Sequence, residues 1–326
     1  MTPAGSAQIP KGAFTRRDLL IMAGLSSTAA LFPVMGPAAG VETVALRDVS
    51  KGAFVHQGAH EQMLPGNLGH IANVGCIIGD EAVAVIDSGG SAMHGRQFLQ
   101  AIREITDRPI RYVIATHVHP DHVFGHAAFL EEAPTFIGHA KLPGALQARG
   151  AFYLDNLRDE LGDLAADTEV IMPDLLVEDS MEVDLGGRKL TLRAHETAHT
   201  DNDLTIFDHE SGLLWTGDLL FMERCPVVDG SLLGWLKVMD DLEGGTATAV
   251  VPGHGPVSAA WPDAIAAQRR YLTRLLDEVR QFLDQGGLLE EAVDAVAFDD
   301  ERTNWALFEH YHGRNVSAAY AELEWE

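Results

Sequence analysis

Basic residues are scarce in this chain of 326 residues: 23 Lys and Arg stand against 48 Asp and Glu, a formal net charge of −25. A nucleic-acid partner needs Lys and Arg to meet its phosphates, so the charge balance excludes that class of function. The acidic side chains are spread along the chain, which reads as a solvated surface. Cysteine is nearly absent too. Cys76 and Cys225 show no Cys-x-x-Cys spacing, which argues against a cysteine-built zinc site. Cys76 sits in an apolar run and reads as a small buried hydrophobe, with pairing to Cys225 left open. No segment makes a convincing membrane span. The apolar stretch near the N-terminus is short and contains Pro33 and Gly36. Residues 41–326 lack a linker rich in Pro, Gly or Ser, which argues for one domain. With 46% hydrophobic residues there is ample material for its core.

What precedes that domain has the layout of an export signal. Thr15-Arg16-Arg17-Asp18-Leu19-Leu20 is followed by a short apolar region and then an Ala/Ser-rich stretch to Gly40. Basic, apolar and small-residue regions in that order make a signal peptide. The paired arginines before Leu-Leu resemble a twin-arginine leader, which carries proteins that fold before export. The expectation is a leader over residues 1–40, cut near Ala38-Ala39-Gly40, and a protein of the bacterial periplasm.

The densest chemistry lies in His117-Val118-His119-Pro120-Asp121-His122. It follows the apolar run Tyr112 to Ala115, which places it on the loop after a buried strand. Neutral imidazoles and carboxylates are ligands for zinc and related divalent ions. Four such groups are costly to bury without a cation.

Apolar runs from Ile71 to Ile78 and Ala82 to Ile86 read as a hairpin around Gly79-Asp80-Glu81. A helical pattern runs from His94 to Ile105, and another from Leu142 to about Leu164. Val177 to Val183 and Lys189 to Ala194 read as strands, as do Leu204 to Phe207, Leu213 to Thr216 and Ala249 to Val251. Few strands are expected to be followed by a crossover helix. A long amphipathic helix begins near Pro262. The arrangement predicts two mixed sheets with helices outside, a four-layer α/β sandwich with C-terminal helices.

Three further polar groups fall at or just past predicted strand ends: His199, Asp218 and His254. Paired hydrolytic ions sit ~3.5–4 Å apart and share a bridging hydroxide, so a set of about seven ligands is expected. His126, His139 and His195 read as packing residues or as side chains that support the ligands, because seven ligands already suffice. Gly253 and Gly255 read as the means of a sharp turn around His254.

At this point the chain resembles the metallo-β-lactamase superfamily. The likeness is carried by His117-Val118-His119-Pro120-Asp121-His122, Ala198-His199-Thr200, Gly217-Asp218 and Gly253-His254-Gly255. Asn73 and the Val85-Ile86-Asp87-Ser88-Gly89 turn match too. The resemblance implies the αβ/βα sandwich of that family. It implies His117, His119 and His199 on a first metal, Asp121, His122 and His254 on a second, and Asp218 between them. It also implies that Asp121 orients the nucleophile. An Asp at position 218, where cysteine-ligand lactamases have Cys, is the glyoxalase II-like pattern. Its thioesterases and lactonases suggest an exported metallohydrolase with two zinc ions, cleaving a thioester, lactone or related ester of a small molecule by a metal-bound hydroxide. Arg314 and Lys237 are candidates for binding the substrate. Iron or manganese is the alternative metal. β-Lactam hydrolysis, iron-dependent oxidation of sulfur compounds and a non-catalytic role beside a periplasmic dehydrogenase are the alternative functions. The leader, the strand Gly69 to Gly75 and the ending Arg314 to Glu326 are also similar to exported metallohydrolases associated with periplasmic quinoprotein dehydrogenases.

Overall fold

Alternation along the buried strands dictates the layering, because successive side chains point to opposite faces. Val83 and Val85 face one way, onto Phe98 and Ile102, while Ala84 and Ile86 face the other, onto Leu190 and Ile206. A strand apolar on both faces must lie between two layers. The computed structural model describes residues 44–326, so the expected leader lies outside the described residues.

The described residues form two sheets. The first contains β1 (Arg47–Ser50), β2 (Ala53–His56), β3 (Val74–Ile78), β4 (Val83–Ile86), β5 (Ile110–Ile114), β6 (Thr135–His139) and β7 (Leu175–Val177), ordered as in the chain. The second runs β13 (Ala259–Ala260), β12 (Ala249–His254), β11 (Leu213–Phe221), β10 (Leu204–Asp208), β9 (Lys189–Ala194) and β8 (Ser180–Asp184). Their inner faces meet in a core that includes Val55, Ile77, Ile137, Leu192, Leu204 and Trp215. Helix α1 (Ala92–Ile105) covers the outer face of the first sheet. Short α2 (Pro120–Val123) and α3 (Leu142–Leu161) follow β5 and β6. Helices α4 (Leu232–Glu243), α5 (Ala266–Asp284), α6 (Leu289–Ala295) and α7 (Phe308–Leu323) cover the second sheet, packing on Leu214, Leu219 and Val250. This is the expected four-layer sandwich, with its C-terminal helices.

Three details differ from the expectation. Crossover helices are common: β4 and β5 pair parallel across α1, β6 and β7 across α3, and β11 and β12 across α4. The stretch from Val177 to Val183 is two strands in different sheets, split at Glu178-Asp179. The first two strands were not expected at all; Arg47–Ser50 is half-exposed and carries no alternating apolar signal. Both cysteines are buried and unpaired. Among the described residues no helix is long and apolar enough to cross a membrane.

One ion pair ties the sheets together. Arg188, in the turn before β9, donates Nε to Asp208 Oδ1 at 3.2 Å and pairs Nη2 with Oδ2. Its Nη1 reaches into the first sheet, donating to the carbonyls of Lys51 and Ile78 at 2.8 and 3.0 Å. Both partners are almost fully buried, so removing one strands the other's charge. Asp208→Ala is expected to cost ~3–5 kcal/mol in urea denaturation.

Candidate metal centre

The six-residue motif leaves β5 at the edge where both sheets open. Pro120 starts α2 with its fixed φ, and α2 carries Asp121 and His122 inward. His199 lies on the turn between β9 and β10. That turn is held by Asp203, whose carboxylate accepts from Thr200 N at 2.8 Å and Thr200 Oγ1 at 2.7 Å. Asp218 sits inside β11, which runs further than expected. The β11–β12 register shifts on both sides of Gly217, and that irregularity turns the strand around Asp218. His254 ends β12. Asn73 secures the loop after it, donating to Pro252 and Pro256 carbonyls and receiving Gly58 N–H.

The two glycines beside His254 have different jobs. Gly255 has φ +135°, a conformation suited to glycine. Gly253 provides space: a Cβ there would lie 2.0 Å from Asp218 Oδ1.

All seven expected side chains are brought together. One group is His117, His119, His199 and Asp218; the other is Asp121, His122 and His254. His119 Nδ1 lies 3.0 Å from His117 Nε2 and 3.0 Å from His199 Nε2. Asp218 Oδ2 is 3.5 Å from His199 Nε2 and 3.7 Å from His117 Nε2. Its Oδ1 is 3.1 Å from His122 Nε2 and 3.4 Å from His254 Nε2. Asp121 Oδ2 lies 3.4 Å from His254 Nε2. One carboxylate therefore presents an oxygen to each group.

The outward nitrogens are committed elsewhere, which fixes where the protons belong. His199 Nδ1 donates to Val227 O at 2.7 Å, and His254 Nδ1 to Ile71 O at 2.6 Å. His119 Nε2 faces Asp229 at 3.2 Å, and Arg149 also pairs with that carboxylate. Asp87 does double service. It accepts His122 Nδ1 at 2.7 Å and Thr116 Oγ1 at 2.8 Å, and Thr116 Oγ1 in turn takes His117 Nδ1 at 3.0 Å. With those protons outside, the inward nitrogens of His117 and His199 are bare lone pairs, the state a metal requires.

The donor set fits a cation. His122 Nε2 and Asp218 Oδ1 are buried and have no hydrogen-bond partner among the described residues. Burial pulls His199 down to about 3 and holds His117 well below its usual range, so both rings are neutral. Burial would raise Asp121, yet His122 and His254 outweigh it and hold the carboxyl below its usual range. Burial likewise disfavours a proton on His122, but Asp218, Asp87 and Asp121 draw one there. A divalent ion would take that proton's place.

A family model described as the metallo-beta-lactamase superfamily matches residues 68–254, more than half of the chain. The chain belongs to that superfamily. Members of the superfamily are metal-dependent hydrolases. Among curated relatives, a linear primary-alkylsulfatase of Pseudomonas sp. (strain ATCC 19151) is 24% identical over 255 residues, 66% of this chain and 48% of its own. A beta-lactamase-like protein 2 homolog of Caenorhabditis elegans is 25% identical over 164 residues, 49% of this chain and 48% of its own. The chain thus spans about half the length of the curated relatives it matches. Among solved structures, a sec-alkylsulfatase of Pseudomonas sp. superposes with TM-score 0.67 at 16% identity, covering 86% of this chain and 50% of that one. A metallo-beta-lactamase from Pontibacter korlensis gives 0.58 at 15%, covering 71% and 99%. At these identities the structural likeness shows the superfamily's fold.

The remaining histidines lie outside both groups. His126 Nδ1 meets Ser88 Oγ at 2.5 Å, His195 Nε2 meets Thr205 Oγ1 at 2.8 Å, and His139 Nδ1 accepts Lys141 N–H at 2.9 Å. Asp203 and Asp229 were missed as supporting positions, and Asp87 entered only within the Val85-to-Gly89 turn, with no role given to it. Lys237 pairs with Glu196 on the surface, away from the cavity, whereas Arg314 lines it.

Two outcomes are expected. Asp87→Ala should weaken metal binding ~10–100-fold in chelator competition, because the rings of His117 and His122 lose their orienting partner. Burial also lowers His126 to about 3 and His195 to about 4. Both lie below the unfolded value near 6.5, so the unfolded chain takes up protons first. The stability they contribute is present above pH ~6.5 and is lost as pH falls toward ~4, by up to ~1.4 kcal/mol per unit for each ring. Melting temperature against pH checks this, and His195→Gln should flatten the curve.

Proposed function

We propose that the protein is an exported dinuclear zinc hydrolase that cleaves a thioester, lactone or related ester. The observation that carries the reading is Asp218 with one oxygen toward each of two buried donor groups, at the floor of a cavity of about 580 Å³. Five imidazoles and two carboxylates suit zinc, and iron is the competing metal. Export rests on Arg16-Arg17 and the small-residue stretch that follows.

A bound pair of divalent ions would bring the pKa of water toward neutrality and polarise the scissile carbonyl. The chain's own contribution is orientation and proton handling. Asp121, held ionised by His122 and His254, faces the cavity and is set to accept a proton from the attacking water. Asp87, Asp229 and the carbonyls of Val227 and Ile71 keep the imidazole rings aimed inward. Tyr311 and Arg224 shape the mouth: Arg224 Nη2 donates to Tyr311 Oη at 3.0 Å.

A second reading is sulfate-ester hydrolysis. It is favoured by the alkylsulfatase relative and by the cavity wall, which joins apolar Met63, Phe152 and Val228 to the guanidinium of Arg314. Such a wall suits an apolar chain with an anionic head.

The test uses zinc-loaded full-length protein against a thioester, a lactone, a β-lactam and a primary alkyl sulfate. Turnover of the thioester or lactone is expected, and Asp121→Ala should lower kcat/KM by ~100-fold or more. Turnover of alkyl sulfate alone transfers support to the second reading. Activity unchanged in the Asp121→Ala protein, or a zinc-free protein with full activity, rejects both.

A further inference from the structure

A second cluster of imidazoles lies outside the seven-residue centre. His56 ends β2, His70 lies on the connection to β3, and His94 is in the first turn of α1. One ring nitrogen from each lies within 4.8 Å of the others. His94 is fully buried, and the other two are half-buried beside a cavity of about 380 Å³. Among the described residues His56 Nε2, His70 Nε2 and both ring nitrogens of His94 have no hydrogen-bond partner of ordinary geometry, the backbone of Gly69 being the group that approaches His94. Buried polar atoms of native proteins are nearly always paired, so four orphans in one place call for a missing partner.

We propose that His56, His70 and His94 form a separate metal site for Zn²⁺. Three neutral imidazoles with one open position are an established donor set for that ion. His56 is oriented as ligands are, with Nδ1 committed to Ala45 O at 3.2 Å and Nε2 left bare. His70 and His94 are stacked at 3.5 Å, whereas the rings of His117, His119 and His199 stand 4.8–4.9 Å apart. Binding would splay the stacked pair toward that wider spacing.

The position gives the ion a structural purpose. The connection carrying His70 also supplies Gln62 and Met63 to the large cavity and Ile71 O to His254. His94 packs against Gly89, where a Cβ would lie 2.0 Å from Nδ1. Gly89 is two residues from Asp87, which orients His117 and His122. An ion here would clamp β2, that connection and α1 together behind the catalytic face.

The test counts zinc per chain after loading and dialysis in the unaltered full-length protein, His56→Gln and His70→Gln. Each variant is expected to hold one equivalent fewer than the unaltered chain. The comparison is a difference, so it does not depend on how many ions the seven-residue centre takes. Zinc-soaked crystals of the unaltered protein are expected to show an anomalous peak among the three rings, which decides the matter where a variant fails to fold. Equal zinc content in all three proteins, or no peak among the rings, overturns the proposal.

Discussion

Asp218 places one oxygen 3.5 Å from His199 Nε2 and the other 3.1 Å from His122 Nε2, among side chains that are almost fully buried. Two lone-pair atoms at such distances repel unless positive charge sits between them, and low dielectric makes that repulsion expensive. Much of the local architecture serves to maintain this crowding. The β11 irregularity turns the strand around Asp218, and Gly253 leaves the space it needs. Outward hydrogen bonds to Asp87, Asp229, Val227 O and Ile71 O aim the rings so that their other nitrogens face inward. The site is pre-organised by a hydrogen-bond shell whose donors all point away from it.

That shell explains which parts of the centre could be read from the sequence. His117 to His122 declared itself because four ligand types within six residues have few other uses. His199, Asp218 and His254 were legible as polar residues at strand ends, then as parts of a family pattern. Asp87 was legible only as part of a turn that fits the family pattern, and Asp203 and Asp229 were not legible at all. The roles of Asp87 and Asp229 depend on which ring they face, and that follows from tertiary packing of segments up to 110 residues apart. The fold was legible for a related reason. Strands buried on both faces announce themselves as short apolar runs, but half-exposed Arg47–Ser50 does not. The split at Glu178-Asp179 was hidden because two strands joined without a turn signal look like one.

The C-terminal helices connect the metal geometry to substrate choice. Among the described residues α7 gives no hydrogen bond to the seven side chains, yet Tyr311 and Arg314 line the cavity above them. Asn315 fixes the opposite wall, accepting Val228 N–H at 2.9 Å and donating to Pro226 O at 2.7 Å. Val227, between those two residues, gives its carbonyl to His199. The wall that bounds the substrate and the group that orients a ligand are therefore one short segment. Its placement is set by a buried asparagine on α7, so metal geometry and cavity shape are coupled through the same backbone.

The opposite rim is coupled in the same way from the other end of the chain. Ile71 O receives both His254 Nδ1 and Arg224 Nη1, at 2.6 and 3.3 Å. It belongs to the connection that carries His70 into the second imidazole cluster. A loop this long has little regular structure to hold it, and its backbone carbonyl must still be accurate to a few tenths of an ångström. Asn73 secures its C-terminal end through four hydrogen bonds, one of them from its own backbone N–H to Gly253 O. The segment before Ile71 carries His70, whose Nε2 is unpaired and faces the unpaired nitrogens of His56 on β2 and His94 on α1. Cross-linking that segment to β2 and α1 would reduce the freedom of the carbonyl on which His254 depends. Precision at the catalytic face then requires rigidity at a place the substrate never reaches.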